Sequence, residues 1–258
     1  MILRRVISHV KEQNWTAIVL DFLIVVLGVF IGIQLGNWNE ARLNRRLADE
    51  YHQRLLADMR LEALNYEWLQ YYYRDVQAAA ETTYKALSGE IELDDAALLV
   101  SAYRASQYNW FERYRATFDE LVASGKLDLI EDAQLRTQVT GYYNMGLLEE
   151  IRHESQDSEY RRAYRRAVPP DLQEGLGEQC GDQQIEGAPV GALEIGYPCM
   201  FEWPPERMEA GAAIFRSDAS WLPLLRLQIA NLSARNFGLE LNRTVFGLDT
   251  FMQTVDED

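Results

Sequence analysis

Apolar residues crowd one stretch of this chain. From Trp15 to Trp38 it reads WTAIVLDFLIVVLGVFIGIQLGNW, and Phe22 to Ile33 carries no polar side chain. About 20 apolar residues span a bilayer core of roughly 30 Å. Core helices of soluble proteins seldom stay apolar on every face for so long. The pattern therefore predicts a membrane-spanning helix over 15–38, a short cytoplasmic tail over 1–14 and an extramembrane domain over 39–258. Trp15 and Trp38 bracket the span as indole markers of the two headgroup zones. Arg4, Arg5 and Lys11 precede it as they would precede a secretory signal. The segment Gly36-Asn37-Trp38-Asn39-Glu40 offers no small-x-small cleavage site, so a retained signal anchor is expected.

Beyond Trp38 the pattern becomes amphipathic. Glu40 to about Leu87 contains neither Pro nor Gly and is rich in good helix formers. Apolar residues recur at Leu43, Leu47, Tyr51, Leu55 and Met59, then at Leu61, Leu64, Trp68 and Tyr72. Glu50 and Arg54 form an i,i+4 pair. One long helix is expected to leave the membrane and end at Ser88-Gly89. Asp94 and Asp95 predict the N-cap of a second helix, AALLVSAYRASQY. TFDELVAS reads as a short helix stopped by Gly125, and LDLI as a link. Glu131-Asp132 opens a helix reaching about Val168, kinked at Gly141 or Gly146 and ended by Pro169-Pro170.

Residues 169 to about 212 hold six of the seven prolines and read as one irregular Pro/Gly-rich loop. Cys180 and Cys199 bracket its middle and are a possible disulfide; two unrelated thiols are the alternative. A last helix follows Ser217 or Asp218, takes Pro223 in its first turns, and frays at Asp256, Glu257 and Asp258. The expected fold is all-α: a single N-terminal transmembrane helix continuing into a long helix, then a helical-bundle domain whose first and last helices pack together.

Within the span, Gly28, Gly32 and Gly36 repeat at four-residue spacing and line one side of a helix. Small residues so placed let two backbones approach within lipid; incidental glycine is the alternative. Asp21 and Gln34 are the embedded polar residues. A carboxylate inside a bilayer is costly, and Asp21 admits three readings: an ion- or proton-handling group, a polar clasp to another helix, or a headgroup-level residue near Lys11. Asn37, Trp38, Asn39 and Glu40 suit a helix leaving lipid, or a contact to a neighbouring subunit.

The net charge is −15, and residues 169–258 carry 15 acids against 5 arginines. Such a surface disfavours nucleic acid and anionic headgroups. The one basic run, RRAYRR from Arg161 to Arg166, is expected to pair with that acidic third. No phosphate-cradling loop, dinucleotide fingerprint or Gly-x-Ser-x-Gly elbow occurs. His9, His52 and His153 are far apart, and the cysteines lack metal-ligand spacing. Tyr71-Tyr72-Tyr73 and Tyr142-Tyr143 suit helix interfaces better than a ligand site. No enzyme activity, catalytic residue, cofactor or metal is expected.

The residues LDFLIVVLGVFIGIQLGNWNEAR and TFDELVASGKLDLIEDAQLRTQVTGYYN, about a fifth of the chain, resemble domain-of-unknown-function family 6090, an uncharacterised bacterial group. Its pattern is an acid, an apolar span and an Asn-Trp-Asn-Glu motif, here Asn37 to Glu40; Asp21 stands where Glu is usual. The resemblance implies a membrane-anchored helical protein and supplies no catalytic residues. A bacterial inner-membrane location is expected, with the N-terminus cytoplasmic and the domain periplasmic. The acidic domain and the possible disulfide favour that orientation; Arg42, Arg45, Arg46 and Arg54 on the domain side count against it. The leading expectation is a structural or interaction protein, its partners being membrane lipid and either further copies of itself or a membrane protein. One alternative is an ion-coupled component using Asp21, similar to flagellar stator-type units. The other is a ligand sensor using the loop from Pro169 to Pro205.

Overall fold

The computed structural model describes residues 15–188 and 191–253. The expected cytoplasmic tail with Arg4, Arg5, His9 and Lys11, and the acidic end Asp256 to Asp258, lie outside them.

Helix α1 runs unbroken from Trp15 to Leu87, 73 residues, about 110 Å at 1.5 Å per residue. Its most apolar 18-residue window has a mean hydropathy of 2.7, and none of that window is buried. Burial begins at Leu47 and Ala48. The helix stops as its sequence predicts. Gly89 takes φ +81°, its N–H reaches Ala86 O, and the N–H of Glu90 reaches Lys85 O at 2.9 Å. These bonds satisfy carbonyls that the helix end leaves open.

The buried face of α1 runs through Tyr51, Leu55, Met59, Ala63, Tyr66, Leu69, Tyr73, Val76 and Ala80. The expected stripe departs from it midway: Leu61, Leu64 and Trp68 are only half-buried flank positions. Steps of three and four must alternate to stay on one face of a 3.6-residue helix. The true line passes through Glu62, Asn65 and Gln70, all buried, so a hydrophobic search steers around it. Arg54 also departs from expectation, pairing with Glu120 at 2.7 Å rather than with Glu50.

Helix α2 (Asp95–Arg104) is capped by Asp94, which accepts the N–H of Ala97 at 2.7 Å. It ends four residues short of Tyr108, where the Ser106 hydroxyl and the Gln107 amide both bond to Tyr103 O. Helix α3 (Ala116–Ala123) stops at Gly125, φ +67°, and LDLI contains a 3₁₀ turn, Leu127–Leu129. The single helix expected up to Val168 is three: α4 (Ala133–Tyr143), α5 (Leu147–Gln156) and α6 (Glu159–Ala167). Ser158 restarts the backbone by capping the Arg161 N–H. The breaks let one stretch serve two neighbours, since α4 carries Tyr142 to Glu62 of α1 while α6 contacts the long C-terminal helix.

The expected irregular loop over 169–212 is shorter. Helices α7 (Pro170–Cys180) and α8 (Pro205–Arg216) each begin with Pro in the first turn, where the missing N–H costs nothing. The irregular part is 181–204, closed by an antiparallel pair, β1 (Gln183–Gln184) with β2 (Leu193–Glu194). Helix α9 (Trp221–Val245) ends before Gly247, φ +59°, and α10 (Leu248–Gln253) is separate.

First and last long helices pack as expected. Tyr66 Oη donates to Leu239 O at 3.2 Å, and Asn236 Nδ2 donates to Gln77 Oε1 at 2.7 Å. Rising numbers on α1 meet falling numbers on α9, so the two run antiparallel. At the far end Tyr160, Tyr164, Phe215 and Trp221 form an aromatic cluster joining α6, α8 and α9. The chain is all-α apart from the short β pair.

Candidate functional site

The residues singled out in the apolar segment lie on one exposed rod. Trp15 and Trp38 are 67% and 62% exposed. Asn37, Asn39 and Glu40 are exposed beside Trp38, and the Arg42 guanidinium lies 5.9 Å from the Trp38 ring centre. A Cβ added at Gly28, Gly32 or Gly36 would meet nothing within 4 Å, so the stripe is open. Asp21 and Gln34 are exposed as well. Asp21 precedes Gly28 by seven residues, about two turns, and so falls near the same stripe. None of these residues touches the folded domain. The rod offers close approach to another helix, with one carboxylate on the approach side.

The domain holds a polar node that the sequence did not reveal. Glu62 is fully buried. Its Oε2 accepts Arg113 Nε at 2.8 Å and Tyr142 Oη at 2.5 Å, while Oε1 accepts the backbone N–H of Tyr114. The Arg113 side chain is 11% exposed and lies 4.6 Å from the Tyr142 ring centre and 5.3 Å from that of Tyr143. Burial first, then the Glu62 carboxylate, pushes the Tyr142 phenol well above its ordinary value. Tyr143 Oη donates to Tyr114 O at 2.6 Å. Asn65, one turn along α1 and also buried, has no hydrogen-bond partner for its amide, and neither has Arg113 Nη2. A cleft of about 340 Å³ adjoins the node, lined by Leu69, Trp110, Phe111, Arg113, Leu148 and Arg152 among others. Arg152 sits over Trp110, 4.4 Å from the centroid.

Cys180 and Cys199 are bonded to each other, with Cα atoms 5.6 Å apart. Their loop is pinned to α1 and α2. Tyr72 Oη donates to Asp182 at 2.8 Å, and Arg104 Nε donates to Cys180 O at 3.2 Å beneath the Tyr197 ring. Burial raises the Asp182 carboxyl, and the Tyr72 hydrogen bond and Arg161 oppose it. Burial likewise raises Asp75, opposed by a hydrogen bond from the Gly196 backbone and by Arg104. A Cβ at Gly196 would strike the Asp75 carboxylate, so any larger residue there must displace that carboxylate. Burial also pushes Tyr103 up to about 12.

Among the described residues the basic run forms no salt bridge with the acidic third, although Arg161 acts on the Asp182 carboxyl. Arg161 is buried and donates to Ser106 O at 2.5 Å, over the Tyr108 ring, and Arg162 pairs with Asp157. Within that third Arg207 pairs with Asp171, and Glu240 is met by Arg74 of α1. Tyr72, Tyr73, Tyr142 and Tyr143 pack at interfaces, and Tyr71 is exposed. Among the described residues, no group of three His, Cys, Asp or Glu side chains is placed to hold a metal ion. Comparison of the chain with family models, with curated proteins and with solved structures gives no match.

Proposed function

We propose that the chain is a single-pass membrane-anchored protein that serves as a structural or interaction component of a membrane complex, rather than as a catalyst. The observation that carries this reading is the exposure of α1. A membrane-length apolar window stands clear of the fold, with none of its residues buried, and continues without a break into the domain core. A surface so apolar is stable only in lipid or against another protein. Two features favour an assembly role. The glycine stripe at Gly28, Gly32 and Gly36 is open. In the domain, Phe237, Leu241 and Val245, 70%, 49% and 60% exposed, line one side of α9 at four-residue spacing.

The reading includes a bacterial inner membrane, a cytoplasmic N-terminus and a periplasmic domain, in keeping with the Cys180–Cys199 bond, which belongs in an oxidising compartment. It also includes membership of domain-of-unknown-function family 6090. The chain is expected to remain with membranes through an alkaline wash and to give discrete oligomers, or one defined partner, on crosslinking in native membranes. Recovery in the soluble fraction, or crosslinking that yields monomer alone, overturns the reading. A reporter fused to the C-terminus fixes the side on which the domain lies.

A further inference from the structure

Just past Trp38, α1 carries three arginines that the folded domain leaves unused. Arg42, Arg45 and Arg46 are exposed. Spaced i, i+3 and i+4, they share one face of the helix. None pairs with a carboxylate among the described residues; Arg42 lies over Trp38 at 5.9 Å, and Arg45 Nε bonds only to Ala41 O at 3.3 Å. No neighbouring acid among the described residues forms an ion pair with them. Glu40 is two residues before Arg42 and does not face it. Asp49 and Glu50 share the face of Arg45 and Arg46 at i+3 and i+4 but lie one turn further from Trp38, about 16–18 Å beyond it, and Glu120 is held by Arg54 and by the Tyr51 hydroxyl.

Depth identifies the complement. At 1.5 Å per residue the three Cα atoms lie about 6–12 Å beyond Trp38. The headgroup layer adds about 5–7 Å to each side of a bilayer core, and arginine stems bend back toward an interface. Three guanidinium groups therefore reach the plane of the lipid phosphates when Trp38 marks the edge of the hydrocarbon. Among the described residues no acid of the C-terminal third pairs with them. Its Glu240 meets α1 at Gln70 and Arg74, about 36 Å along the helix from Arg46. That exceeds four Debye lengths at physiological salt, about 8 Å each.

We propose that Arg42, Arg45 and Arg46 form a binding face for anionic phospholipid headgroups on the domain side of the membrane. The inference rests on the membrane-anchored reading and names the lipid class that the anchor selects. Guanidinium groups pair with phosphate oxygens in forked geometry, and a net negative headgroup leaves that charge uncompensated by a choline.

The test uses the full chain reconstituted in vesicles of equal parts phosphatidylglycerol and phosphatidylcholine. Retained lipid is counted by native mass spectrometry. Arg42→Gln/Arg45→Gln/Arg46→Gln is compared with the wild type and with Arg42→Lys/Arg45→Lys/Arg46→Lys. The expected result is a glycerol-to-choline ratio that falls about fivefold in the glutamine variant and is largely kept in the lysine variant. A glutamine variant within 1.5-fold of wild type overturns the proposal, and so does a lysine variant that falls as far as glutamine. The arginines lie outside the domain core, so folding is not at stake, and circular dichroism confirms it. Loss of the wild-type chain from vesicles in alkaline carbonate would instead overturn the membrane-anchored reading itself.

Discussion

The node at Glu62 makes the sharpest demand on the chemistry of this fold. One buried carboxylate accepts three donors from two other segments: Arg113 and the Tyr114 N–H on the link before α3, and the Tyr142 hydroxyl on α4. Glu62→Gln keeps the volume and removes the charge. The amide oxygen can replace Oε2, facing Arg113 and Tyr142, or Oε1, facing Tyr114. In either case its NH₂ points at a donor, and the guanidinium of Arg113 is left buried without a counter-charge. Breaking a buried pair on one side costs about 3–5 kcal/mol. With one oxygen retained, a loss of about 3 kcal/mol is expected for Glu62→Gln. Arg113→Met strands the carboxylate and also removes the stacking on Tyr142 and Tyr143, worth about 0.5–2 kcal/mol; a loss of about 4 kcal/mol is expected. The double variant strands neither charge. Its loss should fall short of the sum by about 2 kcal/mol, the scale of coupling between residues in contact.

Denaturant unfolding of the full chain in micelles, followed by the near-ultraviolet signal of its buried tyrosines, reads all three variants. A shifted midpoint at unchanged slope isolates stability from compactness. Single losses below about 1 kcal/mol would refute the argument. So would a double variant additive to within about 0.5 kcal/mol, because the two groups would then not be energetically paired.

Three further outcomes follow from the same structure. Asn65 is buried with its amide unpartnered, so Asn65→Leu should raise stability by about 1–3 kcal/mol in thermal unfolding; a drop of similar size would mean the amide has a partner. Asp182 has its carboxyl raised by burial, so the stability tied to it is full below the unfolded value of about 3.9 and is lost as pH rises through the folded value. Asp182→Asn, which still accepts from Tyr72, should therefore melt above wild type at pH 7, with the gap closing toward pH 4; a gap that is constant with pH counts against this. Cys180→Ser/Cys199→Ser opens a loop of sequence separation 19 and should cost about 3 kcal/mol, with limited proteolysis moving into 181–204; unchanged cleavage and midpoint would mean the Tyr72, Arg104 and Tyr197 contacts hold the loop without the bond.

The sequence made the outline of the fold legible where local chemistry acts alone. Asp94 as a cap, Gly89 and Gly125 as stops, and Cys180 with Cys199 as a candidate pair could all be read from short segments. The misreadings arose where a distant partner decides. Gly141 suggested a kink in a continuing helix, but it is small because the Phe246 ring lies where a Cβ would be. Pro169-Pro170 does end α6, at Ala167, but Pro170 and Pro205 also read as part of one irregular loop, although proline is equally a first-turn residue. Glu62 was invisible, because a lone acid among helix formers reads as solvated surface until Arg113 and Tyr142 arrive from elsewhere in the chain. The apolar span was the most legible as a helix, since its unbroken run of apolar residues forms one continuous, unburied rod without any folded partner.

The continuity of α1 also restricts how two copies can meet. Residues 37–88 contain no Gly or Pro, the usual sites of a kink, so the angle set in lipid carries into the domain. A close crossing at Gly32 in the glycine-stripe manner, about 40°, separates the two α1 axes by about 39 Å at the level of Gln70, some 57 Å further along. Even with each α9 turned inward by one helix spacing of about 10 Å, a gap of about 19 Å remains, twice the distance for helix contact. Contact through Phe237, Leu241 and Val245 and a steep glycine crossing therefore exclude each other. Gly32→Cys and Leu241→Cys, oxidised separately in membranes, should give a dimer from one variant and not from the other. Efficient dimers from both would refute the rigid rod and locate a hinge between Trp38 and Tyr51.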